Sequence, residues 1–545
     1  MTTDASGLPD YVRGLLNPGA YPAPPAAIEL VQTHISYVFL AGDVVYKTKK
    51  PVDFGFINQL EAATREKYAH AEVRLNRRLS RDVYLDVVPV VRRGDGTFAI
   101  DPPGGTGGAA GLEVIEWAVK MARLPDEAML ASMLGRGPLP AGLLGRVVRR
   151  LVEFHESASV VKNAPAFAGA EGQGTWWARE SLEAEGNIGR TWDAQDAATT
   201  RAFVGATLEA ESALLDRRLA DGRVVEGHGD LHAKHVYDLG ADEGGIQIVD
   251  CIEFTDWFNF RYVDVGYDIA FLAMDLEARG FADLGDEFAG RYLAASGDET
   301  LGVLQPLHRL FRAMVRGKVE SLGANATEIE ETQRRQLAES AASYYRLAAS
   351  YARRRRAPAL VLMTGLSGTG KSIVGATLAA RVGAAYVSSD ALRKRLAGLD
   401  PRTPVPGRYQ EGLYDADSSA RTYAALREHA TAQLAAGHAV VLDATHQRAA
   451  DRRAAIEVAR AAGVPAVIVE LRLADAVARA RIEARAADPL RTSDATWAVY
   501  EQQRAAFEAV TSAETTEGAT HLVLDAALPP AELARAIETA LPAST

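Results

Sequence analysis

Gly365-Leu-Ser-Gly-Thr-Gly-Lys-Ser372 follows directly on the apolar run Leu360-Val-Leu-Met363 and leads into the helical pattern Ile373 to Val382. That order of strand, glycine loop and helix decides the fold of the C-terminal part. Gly365, Gly368 and Gly370, with Ser367 and Thr369 between them, let backbone N–H groups converge on phosphate oxygens, and the helix N-terminus behind them adds its dipole. Lys371 supplies a cation for the β- and γ-oxygens, and Ser372 a hydroxyl for Mg²⁺. The stretch reads as a P-loop, with ATP and Mg²⁺ as its ligands.

Working outward, apolar strands alternate with amphipathic helices after the loop, the signature of a parallel α/β sheet. Ala385-Tyr-Val-Ser-Ser-Asp-Ala-Leu-Arg393 places Asp390 at a strand's carboxyl end and Arg393 one turn later, facing the crevice where such sheets bind ligands. A carboxylate there accepts the proton of an attacking hydroxyl, and the arginine holds an anionic part of the acceptor or the phosphoryl group. A plainer and compatible reading makes Asp390 the cap of a helix starting at Ala391. The strand Ala439-Val-Val-Leu442 ends in Asp443, a second carboxylate that orders Mg²⁺. Further on, the 476–486 segment carries Arg479, Arg481 and Arg485 ahead of Pro489-Leu-Arg-Thr-Ser-Asp494. As a cluster they read as a lid, with Arg485 the arginine expected at the transferred phosphoryl; singly, each is equally well a surface salt bridge.

These strings, GLSGTGKS, SSDALRKRLAG, VVLDAT and RTSDAT, resemble the P-loop kinase group that includes gluconate-kinase-like, zeta-toxin-like and polynucleotide 5′-hydroxyl kinase proteins. The resemblance runs from about Pro358 to Thr545 and implies transfer of the γ-phosphate to a hydroxyl, with Asp390 as base. It does not select the acceptor.

The N-terminal part carries Val225-Glu-Gly-His-Gly-Asp-Leu-His232, then Ile248-Val-Asp-Cys-Ile-Glu-Phe254 and Asp264-Val-Gly-Tyr-Asp-Ile-Ala270. The chemistry suggested by three aspartates in this order is Asp230, on a loop after a helix, as acceptor of the hydroxyl proton, Asp250 at a strand end as Mg²⁺ ligand, and Asp268 as a buttress. The set resembles the aminoglycoside phosphotransferase-like branch of the protein-kinase fold. That resemblance implies a first hairpin from Thr33 to Lys50, with Lys47 on the α/β-phosphates and Lys49 its rival on the same strand face. Glu72, in a helix from Arg65 to Leu79, is the expected ion-pair partner, with Glu66 nearby. Val114 to Met121 reads as the hinge beside adenine, and Trp176, Trp177, Glu180, Glu183, Glu185 and Asn187 as acceptor-pocket candidates or simply helix packing. His235 stands where that family has a metal-binding asparagine, and Mg²⁺ prefers oxygen to imidazole. A glycine-rich loop over ATP is replaced by Thr33 to Ser36. The whole chain resembles bacterial proteins called bifunctional aminoglycoside phosphotransferase/ATP-binding proteins.

A chain of 545 residues exceeds one core, and two different folds are expected: an α+β kinase-like domain at 1–352, a basic linker at 353–357 and an α/β P-loop domain at 358–545. The run Arg353 to Arg356 reads as a solvated helix end. Leu276 to Tyr351 reads as helices, and Asp101 to Gly111 and Glu171 to Gly174 as loops. No stretch of eighteen apolar residues and no secretory leader are readable, so no membrane partner and a cytoplasmic location are expected. The single Cys251 forms no internal disulfide and reads as packing. A net charge of −11 works against broad binding to duplex nucleic acid, so small-molecule hydroxyl acceptors are favoured over nucleic acid. Three whole-protein readings follow: two small-molecule kinases; a C-terminal polynucleotide 5′-hydroxyl kinase; or an N-terminal ATP-binding regulatory module controlling the P-loop kinase. Nothing in the sequence selects an acceptor or an oligomeric state.

Overall fold

The computed structural model describes residues 7–55, 57–102, 112–161, 169–240, 245–255, 260–326, 329–405, 411–486, 490–516 and 518–543. Most of the loop expected from Asp101 to Gly111, and Pro489 of the lid segment, lie outside them. The chain forms two compact units. One comprises Met1–Leu143, Phe154–Ala168 and Leu219–Asp264, and the other Leu144–Glu153, Gly169–Arg218 and Val265–Thr545.

In the first unit, β-branched and aromatic runs form a six-stranded antiparallel sheet in the order Ile28–Gln32, Ser36–Ala41, Val44–Lys49, Glu113–Ala122, Tyr84–Arg92, Phe98–Ile100. Gly42, at φ 68°, makes the turn between the second and third strands, where only a residue free of Cβ strain is comfortable. Phe39, Val90, Ile100 and Ala118 fill the core on one side. On the other, the helix Ala62–Asn76 packs Ala69 and Val73 against Val87 and Val119. Period-two alternation puts Lys47 and Lys49 on one strand face, and the helix presents Glu72 to both. Val114 to Met121, expected as a hinge, is instead the body of the Glu113–Ala122 strand, paired on both sides because its apolar residues are needed in the sheet. Two small two-stranded antiparallel sheets, Val224–Glu226 with Tyr262–Asp264 and Val236–Asp238 with Ile246–Ile248, carry the loops holding Asp230 and Asp250. Asp230 thus follows a strand, not the expected helix.

In the second unit the five strands are all parallel, in the order Ala384–Ser388, Ala439–Asp443, Leu360–Thr364, Ala466–Arg472, Ala519–Asp525. Leu360, Leu362, Val440, Leu442 and Ile468 are fully buried, as expected of strands covered on both faces. The helices Val265–Ala278, Ala282–Ser296, Leu301–Asn325 and Glu331–Ala352 belong to this unit. Gly290 and Gly302 allow two of them to approach the sheet domain: a Cβ on Gly290 would lie 2.4 Å from Thr377 Oγ1, and one on Gly302 2.3 Å from the Ala384 carbonyl oxygen. Of the 353–356 arginines only Arg353, the exposed C-cap of the Glu331–Ala352 helix, is a solvated helix end; Arg354, Arg355 and Arg356 are half-buried. Arg353 pairs with Asp196 at 2.7 Å, Arg354 with Glu277, Arg355 with Glu211 and Arg356 with Glu538 at 2.7 Å, so the whole run is ion-paired within this unit. Glu171 to Gly174, expected as a loop, lies inside the Gly169–Glu183 helix; its two glycines are outweighed by the packing of Trp176 and Trp177 on Phe311. Among the described residues, no helix is long and apolar enough to cross a membrane.

Candidate active sites

A cavity of about 440 Å³ opens at the carboxyl ends of the parallel strands, lined among others by Ser367, Gly368, Gly370, Lys371, Ser372, Asp390, Arg393, Asp443, Arg481 and Arg485. The C-terminal candidates other than Gly365, Thr369 and Arg479 are therefore on one surface. The loop is cut for glycine: Gly365, Gly368 and Gly370 have φ of 129°, 81° and 92°, and a Cβ at Gly365 would meet the Leu471 carbonyl oxygen at 2.6 Å. Thr369 Oγ1 donates to the Leu366 carbonyl at 2.9 Å, and the Ser367 N–H donates to Gln503 Oε1 at 3.0 Å. Lys371 Nζ folds back on the Leu366 carbonyl at 2.8 Å. Burial lowers its pKa to about 8, although Asp443 and Asp390 favour the charge.

Asp443 is nearly buried and accepts from Tyr386 OH at 2.7 Å; burial raises its carboxyl, against the pull of Lys371 and a Ser372 hydrogen bond. Ser372 and Asp443 are both oxygen donors, which suits Mg²⁺. Asp390 lies in the first turn of the Ser389–Leu396 helix, but the cap is Ser388, whose side chain accepts from the Ala391 N–H, so the expected capping role for Asp390 is not what is found. Its carboxylate is left with Arg393 at 3.9 Å, and that guanidinium stacks over the Tyr414 ring, 4.5 Å from its centroid. Arg485 donates to the Ala495 carbonyl at 3.2 Å, and burial lowers its pKa. Arg479, by contrast, pairs with Glu483 at 3.0 Å and sits over Trp497, away from the cavity lining. Asp494 pairs with Lys394 of the 389–396 helix at 2.9 Å and accepts from Tyr414 OH, in the turn Gly412–Tyr414, at 3.1 Å. Lys394, Tyr386, Tyr414 and Gln503 were not singled out from sequence. Their roles come from tertiary contacts that no local spacing encodes.

The first unit gathers a second set. Lys47 Nζ lies 2.9 Å from both Glu72 Oε1 and Asp250 Oδ1, whereas Lys49 pairs with Glu72 at 2.8 Å and with Glu253. Burial alone would lower both lysines, but the facing carboxylates raise them, Lys47 well above its ordinary value. Only Lys47 reaches Asp250 among the contacts of these two lysines. Asp250 has a left-handed backbone, φ 64°, and Tyr84 OH accepts its N–H at 3.1 Å. Such strain persists only where its surroundings enforce it. His228 donates from Nε2 to the Val249 carbonyl at 2.8 Å and accepts the Asp230 N–H on Nδ1 at 3.2 Å, which fixes the loop between the two aspartates. Burial opposes charge on Asp230, yet the surrounding His232, His235 and His228 hold its carboxyl well below the usual range. Burial pushes His235 down to about 4, so its ring is neutral at pH 7 and donates from Nδ1 to the Asp230 carbonyl at 2.8 Å. His235 brings nitrogen where Mg²⁺ wants oxygen, so this donor set does not fit Mg²⁺.

In the second unit, Glu180 pairs with Lys318 at 2.7 Å, Asn187 donates to Tyr345 OH at 3.1 Å, and Trp176 and Trp177 pack on Phe311. These are packing roles. Asp268 is buried in that unit's Val265–Ala278 helix, 3.9 Å from Arg312.

A parallel sheet with a P-loop between strand and helix, and carboxylates at the neighbouring strand ends, defines a P-loop nucleotide-binding domain, and residues 360–510 match the family described as AAA domain. The chain as a whole belongs to the family of the uncharacterized proteins Rv2004c of Mycobacterium tuberculosis and Mb2027c of Mycobacterium bovis, each 30% identical over 434 residues, covering 79% of this chain and 81% of theirs. Solved structures with partial similarity include a gluconokinase from Sinorhizobium meliloti 1021, with 23% identity, TM-score 0.24, and 33% of this chain and 90% of that one covered. A choline/ethanolamine kinase family protein from Mesorhizobium loti gives 13% identity, TM-score 0.35, and 60% and 92% coverage.

Proposed function

We propose that the protein is an ATP-dependent phosphotransferase with two separate sites, each moving the γ-phosphate of ATP to a hydroxyl of a small-molecule acceptor. The observation that carries this reading is the single cavity in which Lys371, Ser372, Asp443, Asp390 and Arg393 converge. In the C-terminal site the loop's backbone N–H groups and Lys371 hold the phosphates; Ser372 and Asp443 would hold Mg²⁺, which would supply charge neutralisation. Asp390 accepts the proton of the acceptor hydroxyl as its oxygen attacks the γ-phosphorus and the bond to the β-bridging oxygen breaks. Arg393 and Arg485 stabilise the charge on the phosphoryl in flight. In the N-terminal site Lys47, oriented by Glu72, contacts the α/β-phosphates, and Asp230 positions and deprotonates the acceptor hydroxyl.

The test is acceptor-dependent ATP consumption by the purified protein against sugar, metabolite, aminoglycoside and oligonucleotide panels. Asp390→Asn is expected to abolish turnover of one acceptor class while leaving ATP bound. Phosphorylation of oligonucleotides with free 5′ ends, and of nothing else, would replace the small-molecule reading of this site with a polynucleotide 5′-hydroxyl kinase. A second reading of the N-terminal site, as an ATP-binding regulatory module, is favoured by the nitrogen donor His235. Asp230→Asn separates the two: loss of an N-terminal reaction with ATP affinity retained excludes the purely regulatory role.

A further inference from the structure

Where the Ala62–Asn76 helix ends, Arg74, Arg77, Arg78 and Arg81 follow one another at i, i+3, i+4 and i+7, the spacing that shares one helix face. All four line a shallow cavity of about 650 Å³ in the first unit, and Asp82 is the one carboxylate among its lining residues. The helix dipole accounts for a cation or two in a last turn, but Arg78 and Arg81 lie past the C-cap residue Arg77. Like charges at this spacing repel one another, and the protein meets only part of the charge itself. Arg74 reaches both oxygens of Glu226 at 3.2 Å, Arg78 lies 3.4 Å from its Oε2, and Arg261 pairs with it too, so one carboxylate serves three guanidiniums. Arg77 uses Nε on the Tyr84 carbonyl, at 2.8 Å, and Nη2 on the Leu85 carbonyl, which fixes its plane and leaves Nη1 uncommitted by either. Arg78 is fixed in the same way by the carbonyls of Leu75, Glu226 and Gly227, at 2.8, 2.5 and 3.1 Å. Arg81 is exposed and, among the described residues, has no ion-pair or hydrogen-bond partner. Guanidiniums already held by backbone carbonyls lose little freedom when an anion arrives, and their planar forks match phosphate oxygens. The Leu79 and Ser80 N–H groups both donate to the Asn76 carbonyl, at 2.9 and 2.8 Å, so the chain keeps turning past the helix end. At a rise of about 1.5 Å per residue the arginines then spread over about 10 Å, which suits linked phosphates better than a single one.

We propose that this arginine face is a binding site for a small molecule carrying two or more phosphate groups, distinct from the P-loop cavity and from the cluster of Lys47, Glu72 and Asp250. The probe is inorganic tripolyphosphate. It is titrated by calorimetry into the full-length chain carrying Lys47→Ala and Lys371→Ala, so that the phosphate contacts of the two ATP sites do not contribute. One saturable site is expected, tighter for tripolyphosphate than for orthophosphate, and weakened at least about tenfold by Arg81→Gln and by Arg74→Gln, each of which removes charge-assisted hydrogen bonds. Arg81 holds no other group in place, so Arg81→Gln reads the site in a folded chain. A second measurement avoids the lysine changes: in the unaltered chain, tripolyphosphate is expected to protect Arg81 from modification by phenylglyoxal, read by mass spectrometry. No saturable binding, an affinity unchanged by Arg81→Gln, or Arg81 modified at the same rate with and without tripolyphosphate overturns the proposal. A single-stranded oligonucleotide bound more tightly than tripolyphosphate, and lost in the same variants, would make the face a nucleic-acid surface and overturn the small-molecule assignment.

Discussion

Lys371 offers a quantitative test of how the P-loop site works, because its pKa is lowered from the ordinary 10.5 to about 8 by burial. Phosphate binding needs the ammonium form. With a pKa of about 8 in the nucleotide-free protein, roughly nine-tenths of the lysine is charged at pH 7 and roughly one-tenth at pH 9. Apparent affinity scales with the competent fraction, so ATP binding at this site should weaken about tenfold over that interval, or about 1.4 kcal/mol. Stability of the nucleotide-free protein changes in the opposite direction. The folded value lies below the unfolded one, so the charged lysine destabilises the nucleotide-free fold below pH 8, and this penalty is relieved as pH rises from 8 toward 10.5. Lys47 is the built-in contrast: its pKa is held well above the ordinary value, so ATP at the N-terminal site should be insensitive to the same change. The assay is calorimetric titration of ATP at pH 7 and pH 9, with a Lys47→Ala chain isolating the C-terminal site. Lys371→Arg, charged throughout, should flatten the profile. Equal affinity at both pH values in the Lys47→Ala chain, or a tenfold loss that survives Lys371→Arg, would refute the reasoning.

Other consequences are as direct. Asp390→Asn should lower turnover at the C-terminal site by about 10²–10⁴-fold, measured under saturating ATP, with ATP affinity changed little. Gly368→Ala should cost more than about 1 kcal/mol and most nucleotide binding, since the new Cβ would sit at φ 81° and 2.9 Å from the Ala478 carbonyl; a thermal melt and a nucleotide titration read both effects. Arg452 and Glu514 form an ion pair with neither side chain exposed, so Glu514→Gln should destabilise the second unit by about 3 kcal/mol or more, seen as a lowered melting transition without loss of ATP contacts.

The P-loop half was the more legible because its signals are local. Leu360–Thr364, the glycine loop and Lys371–Val382 are contiguous, and parallel strands buried on both faces show as apolar runs ending in the carboxylates that matter. Asp390 and Asp443 could be read from strand ends alone. The Ser388 cap took the role that Asp390 was given, because a serine one position outside the helix is as good an acceptor and only backbone geometry tells them apart. The hairpin of the N-terminal half and the pairing of Lys47 with Glu72 were also accessible, the lysine from strand period and the glutamate from helix position. Other features were not. Val114 to Met121 reads as a hinge in sequence, and only its pairing on both sides shows the Glu113–Ala122 strand. The Arg353–356 run reads as solvated in sequence because its acidic partners lie as much as 182 residues away. Trp176, Trp177 and Glu180 read from sequence as pocket or packing alike, since aromatic and acidic residues serve either purpose; the contacts found are Phe311 for the tryptophans and Lys318 for Glu180.

The central claim is that two independent phosphoryl-transfer sites exist in this chain. The measurement closest to it is acceptor-dependent ATP consumption by the unaltered protein, by Lys371→Ala and by Asp230→Ala, across one acceptor panel. Two acceptor classes, each lost in one variant and retained in the other, are the predicted result. One acceptor whose turnover vanishes in both variants would contradict independent sites and leave a single composite enzyme.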